Sequence, residues 1–107
     1  MLMEHENCPC METCPLNRAM ALIGGKWKMQ ILCSLYNNGP TRYNQLKKAL
    51  DGVSNTVLAN ALRELEGDGL VHRQEYLEVP VRVEYATTEP CRRLIPILDA
   101  LGDWSMA

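Results

Sequence analysis

Three cysteines stand close together near the start of the chain. Cys8, Cys10 and Cys14 lie in one short segment, whereas Cys33 and Cys91 stand alone further along. The chain has five cysteines, an odd number, and its acidic first residues lack the order of a signal peptide, so a disulfide framework is not indicated. We expect thiols that react or bind a metal in the first segment, a core position for Cys33, and a surface or dimer-interface position for Cys91.

Cys14 is the thiol whose position points most clearly to chemistry. It precedes Pro15, and proline is enriched at the first position of a helix, so we expect Cys14 at the N-cap. The positive end of the helix dipole favours the thiolate there, which makes Cys14 a candidate redox-sensing residue. Cys8 and Cys10 are candidate partners for its oxidised form. An inert, partly buried Cys14 is the alternative.

The same segment could instead bind zinc. His5, Cys8, Cys10 and Cys14 supply four soft ligands, but their spacings are tighter than those of standard zinc sites, whose ligand pairs lie on two separate elements. Zinc is therefore the less favoured interpretation, and we expect no cofactor.

A second set of chemically capable residues lies on a predicted helix that begins after Ser54 and ends at Gly67 or Gly69. Ser54 is a favoured N-cap type, and the apolar positions of the helix recur at the spacing of one buried face. Those apolar positions are Leu58, Ala61, Leu62 and Leu65. The opposite face, here called the outward stripe, consists of Asn55, Thr56, Ala59, Asn60 and Arg63. An asparagine can bond adenine N6 and N7 as a pair, and an arginine can contact guanine or phosphate, so the outward stripe is a candidate base-reading surface.

The elements around this helix form a pattern typical of a DNA reader. A short predicted helix, 43–50, with Leu46, Ala49 and Leu50 inward, precedes it across a turn at 51–53, which is the spacing of a helix-turn-helix. The preceding elements are predicted as a helix from Pro15 to the Gly24-Gly25 pair, a buried helix 26–36 and an extended stretch 41–43. A two-strand ribbon, 71–76 and 82–88, follows and offers Arg73 and Arg82, although its turn, 77–81, is largely apolar. The candidate DNA-binding residues are Arg42, Asn44, Lys47, Ser54, Asn55, Thr56, Asn60, Arg63, Arg73 and Arg82.

The distribution of charge supports this interpretation better than the net charge of −2 does. Residues 13–50 contain six basic side chains and no acidic one, whereas residues 51–107 contain five basic and ten acidic ones. A local basic face is sufficient for phosphate binding. The alternative is a charge fluctuation on a solvated surface.

The last predicted helix, 88–104, has more apolar surface than a small core needs. Its apolar side chains lie on one face, and Pro96 is expected to bend it. Because leftover apolar surface usually marks an interface, we expect two copies to pair through this helix. The candidate dimerisation residues are Leu94, Ile97, Leu98, Leu101 and Trp104. The alternative is that the helix folds back on its own core.

Several motifs of the chain together resemble those of one known protein family. The segment from Cys14 to Trp27 contains Cys-Pro and Ile-Gly-Gly-Lys-Trp, and residues 80–85 read Pro-Val-Arg-Val-Glu-Tyr. Over residues 14–104 the chain resembles the HxlR family of bacterial, MarR-like winged helix-turn-helix transcription regulators. It departs from the usual family pattern at Pro90, where glycine is common, and in Cys8 and Cys10. The resemblance implies a mainly α fold with a small β-hairpin wing, a homodimer on a near-palindromic operator, and a Cys14 thiol that responds to oxidants or electrophiles.

These observations predict a cytoplasmic, sequence-specific DNA-binding regulator, with residues 1–13 as a mobile arm and 14–107 as the DNA-binding domain. The expected partners are double-stranded DNA, a second copy of the chain and a small oxidant or electrophile, and no apolar run is long enough to cross a membrane. The alternatives are a winged-helix protein-interaction module and an N-terminal zinc-binding regulator. A thiol enzyme is disfavoured, because no histidine stands beside a cysteine as a base.

Overall fold

The computed structural model describes residues 14–107, which form five helices and one small sheet. The predicted arm, with His5, Cys8 and Cys10, lies outside the described residues. The helices are α1 Pro15–Ile23, α2 Lys28–Asn38, α3 Tyr43–Ala49, α4 Asn55–Gly67 and α5 Glu89–Met106. The strands are β1 Thr41–Arg42, β2 Val71–Tyr76 and β3 Arg82–Thr87.

The predicted ribbon is one part of a three-stranded antiparallel sheet in the order β1-β3-β2. In β2 and β3, Val71 lies opposite Thr87 and Tyr76 opposite Arg82. The extended stretch before α3 pairs with β3, so that Thr41 lies opposite Tyr85. This pairing anchors the start of the helix-turn-helix to the ribbon, and it was not part of the prediction.

The core lies between α2, α3, α4 and the first half of α5. The buried face predicted for α4 is confirmed, since Leu58 and Leu65 are fully buried and Ala61 and Leu62 nearly so. The inward position predicted for Ala49 is wrong, because Ala49 is exposed. The inward positions predicted for Leu46 and Leu50 are confirmed, since they are 0% and 4% exposed. The chain leaves the helix at Leu50, so the buried face of α3 does not extend to Ala49.

Local signals set most helix ends. The Ser54 hydroxyl accepts a hydrogen bond from the Val57 amide at 3.1 Å, as an N-cap does. Gly52, in the turn between α3 and α4, has a φ of +88°, a conformation that side chains with a Cβ rarely adopt. The helix α2 begins two residues later than predicted, because Trp27 is its N-cap and packs against the core.

The last helix divides into two halves. Cys91 and Ile95 in the first half are buried, and Leu94 and Leu98 pack against the core. From residue 99 to residue 107 every side chain is exposed, and α5 continues through Pro96 as one helix. No helix within residues 14–107 combines the length and apolar character that a bilayer crossing requires.

Candidate nucleic-acid interface

The helix-turn-helix is formed by α3 and α4. Its turn is held by Leu50 and Val53, both 4% exposed, so the angle between the two helices is set by core packing. A further link comes from Tyr43, whose hydroxyl lies 3.1 Å from Asn55 Oδ1 and 3.2 Å from the Asn55 carbonyl oxygen. Tyr43 therefore joins the first residue of α3 to the first residue of α4. Nothing in the local sequence pattern pairs residues twelve positions apart, so this role of Tyr43 was not predicted.

The outward stripe of α4 is accessible, with Asn55, Thr56, Asn60 and Arg63 exposed. Ala59 is half-buried and adds no bulk. Residues four and three positions apart are neighbours on a helix surface, so Thr56, Asn60 and Arg63 lie in line along the face opposite the core. Arg63 Nη1 donates a hydrogen bond of 2.8 Å to Asn60 Oδ1. The stripe thus presents polar side chains, and two of them, Asn60 and Arg63, are hydrogen-bonded to each other.

Two shallow clefts run along the sides of this stripe. One, of about 260 Å³, lies between the loop joining α1 to α2 and α4, with Trp27, Val57 and Asn60 in its walls. The other, of about 190 Å³, lies between α4 and the sheet, and Arg63 and Arg73 contribute to its walls. The stripe therefore stands clear of its surroundings on both sides, as a helix that enters a DNA groove must.

The other candidates on the helix-turn-helix occupy its solvent side. Arg42 and Asn44, at the start of α3, are exposed, and Lys47 is half-buried. The Gln45 side chain accepts a hydrogen bond from the Arg42 amide at 3.0 Å and so caps α3. Ser54 is exposed, but its hydroxyl is engaged as the N-cap of α4.

The two arginines of the ribbon have different surroundings. Arg73 is exposed and lies 3.7 Å from Glu75. Arg82 is held more tightly, since it hydrogen-bonds Glu78 at 2.9 Å and Glu84 at 2.7 Å and lies 3.9 Å over the Tyr76 ring. With two carboxylates around its guanidinium, Arg82 is the less available of the two for phosphate.

The turn of the ribbon exposes apolar side chains. Leu77 is 91% exposed and Val79 is completely so, and Val81 is more than half exposed. Because this tip has no basic side chain, phosphate contact from the ribbon would come from Arg73 and its strand.

The basic block of residues 13–50 contributes less free charge than its count suggests. Lys28, 14% exposed in its side chain, lies 2.7 Å from Glu64, and the Lys26 ammonium stands 4.8 Å from the centre of the Trp27 ring. The hydrogen bond from Lys28 holds the pKa of Glu64 below its ordinary value. This ion pair also links α2 to α4, a link that sequence spacing could not reveal.

The described cysteines form no disulfide with one another. Cys14 occupies the predicted N-cap position and is 4% exposed, but its side chain does not accept a capping hydrogen bond. The core position expected for Cys33 is wrong, because Cys33 is only half-buried and is not one of the core residues. The expectation for Cys91 is wrong, because Cys91 is fully buried in the core; burial raises its pKa, and Cys33 nearby adds to the shift. Cys91 is the third residue of α5 and lies in its first turn, which packs against the core.

The zinc interpretation depends on His5, Cys8 and Cys10, which lie outside the described residues. Within residues 14–107, no group of three or more histidine, cysteine or acidic side chains is placed to hold a metal ion.

Comparison with known proteins agrees with this geometry. The sequence profile of the HxlR-like helix-turn-helix family matches residues 22–107. An uncharacterized HTH-type transcriptional regulator of Halalkalibacterium halodurans is 42% identical over 92 residues, which are 86% of this chain and 81% of that protein.

Three structures of two redox-related regulators are also similar. The redox regulator HypR in its oxidized form has a TM-score of 0.80 at 38% identity, covering 87% of this chain and 95% of that one. The reduced form of the transcriptional regulator YodB from B. subtilis has a TM-score of 0.79 at 32% identity, covering 87% and 91%. A diamide-treated form of YodB has a TM-score of 0.76 at 31% identity, covering 89% and 94%. These likenesses, with the element order, confirm the predicted winged helix-turn-helix fold.

Proposed function

Because the chain belongs to the HxlR-like helix-turn-helix family of DNA-binding transcriptional regulators, we propose that it binds a near-palindromic operator as a homodimer. The observation that carries this proposal is the outward stripe of α4. Its polar side chains are exposed on a helix whose opposite face is fully covered by the chain's own core. In a helix-turn-helix, the second helix enters the major groove with such a face.

The proposed dimer rests on two apolar surfaces. On α1, Leu16 and Met20 are 41% and 47% exposed. On α5, Ile97, Leu101 and Trp104 are all more than half exposed. Between the two helices lies an apolar cleft of about 190 Å³, with Leu22 and Leu94 among its lining residues. A two-fold dimer through these surfaces would set the two α4 helices about one DNA turn, roughly 34 Å, apart.

Within each half-site, the proposed roles follow exposure. Thr56, Asn60 and Arg63 would contact base edges, while Arg42, Asn44, Lys47 and Arg73 would contact the backbone on either side. Asn55 would reach the groove from the edge of the stripe, where Tyr43 holds it. Ser54 and Arg82 would support α4 and the ribbon rather than touch DNA, since both are engaged within the chain.

The test is selection of binding sites from random double-stranded DNA, followed by quantitative binding at several salt concentrations. We expect an enriched sequence with two-fold symmetry and a slope of about −0.9 in log K against log salt for each phosphate neutralised. Arg63→Ala should weaken binding by about 1–3 kcal/mol. Arg92→Ala, which removes the same charge on α5, is the matched control. Unchanged affinity in Arg63→Ala and Asn60→Ala alike would remove α4 from the interface.

We also propose that the Cys14 thiol controls this binding. Cys14 is the N-cap of α1, whose exposed apolar residues belong to the proposed dimer surface. A disulfide between Cys14 and a second thiol, with Cys8 and Cys10 as the candidates, would therefore change how two copies pair. When diamide is the oxidant, it takes up the two thiol hydrogens and is itself reduced to a hydrazine. The similarity to HypR and YodB supports an oxidant as the signal. Diamide should alter operator binding of the wild type and of Cys33→Ser, but not of Cys14→Ser. An unaltered diamide response in Cys14→Ser would exclude Cys14 as the sensor.

A further inference from the structure

The orientation of the Asn60 amide is fixed by chemistry. Arg63 Nη1 lies 2.8 Å from Asn60 Oδ1, and a guanidinium has five donors and no acceptor. The amide atom that faces Arg63 must therefore be the oxygen. Its NH₂ group is turned away from Arg63, so the pair offers hydrogen-bond donors to whatever approaches it.

The pair also lies where a base edge would be met. Asn60 and Arg63 are both exposed, and with Thr56 they run along the face of α4 opposite Leu58 and Leu65. Neighbouring Ala59 is half-buried and cannot reach past them. Two acidic side chains flank this row. Glu66 lines the smaller cleft together with Arg63, and Glu64 lines the larger cleft with Asn60 and is paired with Lys28. Neither stands between Thr56, Asn60 and Arg63.

Guanine and adenine show different hydrogen-bonding groups in the major groove, and the Asn60–Arg63 pair can distinguish them. Guanine presents two acceptors, N7 and O6, whereas adenine presents the N7 acceptor beside an N6 amino donor. Paired recognition of adenine by Asn60 requires its Oδ1 to accept from N6. That oxygen already accepts from Arg63 with one of its two lone pairs. An N6 amino group brought to the other lone pair would lie beside the cationic guanidinium, donor against donor.

Resting on the proposed operator binding, we propose that Arg63 is a guanine-specifying residue and that Asn60 is the positioning residue that orients its guanidinium. Each half-site then carries a guanine beneath this pair, read through N7 and O6. This replaces the adenine contact that the sequence alone suggested for Asn60. Asn55, whose Oδ1 and carbonyl oxygen lie within hydrogen-bond reach of the Tyr43 hydroxyl, belongs to a separate position.

The test begins with the operator selected by the wild-type protein. At the position where Arg63→Ala loses its base preference, guanine is replaced by 7-deazaguanine, which lacks the N7 acceptor, and separately by adenine. We expect 7-deazaguanine to weaken binding about 5-fold or more, and adenine by about 5- to 150-fold. The same replacement at a guanine outside the half-sites is the control. If the position proves to be adenine, or if 7-deazaguanine has no effect there, the proposal is overturned.

The positioning role needs a readout that loss of fold would not mimic. Asn60→Ala should reduce the guanine-to-adenine preference at that position. This preference is a ratio of two affinities, and a general loss of folded protein would lower both affinities alike and leave the ratio unchanged. Asn60→Asp keeps an oxygen acceptor for Arg63 and should restore the preference, even though its negative charge lowers overall affinity. An unchanged preference in Asn60→Ala would show that Arg63 is oriented without it. If the wild type enriches no sequence at all, the proposed operator binding itself fails, an outcome distinct from enrichment with a different base.

Discussion

The helices α4 and α5 have similar amphipathic patterns but opposite relations to the core. The four residues of the buried face of α4, Leu58, Ala61, Leu62 and Leu65, are at most 8% exposed, while its polar side chains and Val57, which is 42% exposed, face outward. In α5 the first half docks on the core through Cys91 and Ile95, but Ile97 is 63% and Trp104 75% exposed. The chain covers the apolar face of α4 by itself and leaves much of that of α5 uncovered. The comparison separates a helix suited to reading DNA from one suited to assembly.

The largest effect is expected from a substitution in the uncovered part of α5. In the proposed dimer, Trp104→Glu places two charges in an apolar interface. Because each dimer contains two copies of Trp104, we expect the free energy of dimerisation to fall by at least roughly 4 kcal/mol, which is about a 1000-fold weaker dimer. Sedimentation velocity over a range of protein concentrations measures it.

The matched control for Trp104→Glu is Leu77→Glu, at an apolar residue that is 91% exposed on the tip of the ribbon. It should leave self-association unchanged. Equal effects of the two substitutions would mean that α5 is not the assembly surface.

The covered face of α4 is tested by Leu65→Ala. Leu65 is fully buried, so truncation leaves a cavity as well as losing apolar contact, and the free energy of unfolding should fall by about 2–5 kcal/mol. Urea denaturation at one fixed protein concentration measures it. Glu66→Ala, on the exposed side, should stay within about 0.5 kcal/mol of the wild type. A small effect at Leu65 would contradict the contrast between the two helices.

The sequence predicted features that depend on nearby residues and missed those that join distant segments. The N-caps at Ser54 and Cys14 and the buried face of α4 depend on residues a few positions apart, and the sequence predicted them correctly. The pairing of Thr41 with Tyr85 and the ion pair of Lys28 with Glu64 join distant segments, so no local period encodes them.

The candidate site shows the same limit at finer scale. The sequence identified Asn60 and Arg63 as residues of one face, but not that the first accepts a hydrogen bond from the second. The burial of Cys91 was missed for a related reason. The burial of Cys91 depends on how the start of α5 packs against the core. That packing is fixed in part by Thr88, whose hydroxyl donates a hydrogen bond of 2.7 Å to the Gly69 carbonyl oxygen.

A smaller effect is expected at the start of α4. Ser54→Ala removes the hydroxyl that accepts from the Val57 amide, which should cost about 1 kcal/mol of stability. Ser105→Ala makes the same chemical change in the exposed half of α5 and should cost less than about 0.5 kcal/mol. Thermal denaturation of the two variants compares them directly. A larger loss at Ser105 would show that the end of α5 is better packed than its exposure indicates.

The smallest effect concerns the link between α4 and α2. Lys28 lowers the pKa of Glu64, so the stabilisation is complete above the ordinary glutamate pKa of about 4.3 and is lost as the pH falls through the lower, folded-state pKa. Glu64→Gln should therefore be slightly less stable than the wild type at pH 7 and equally stable in acid, with the difference at pH 7 reduced by added salt. Glu66→Gln removes the same charge two residues away and should show no such convergence. If the difference in stability between Glu64→Gln and the wild type instead grew in acid, the ion pair would not hold α4 to α2. The position of α4 would then depend on its apolar face alone.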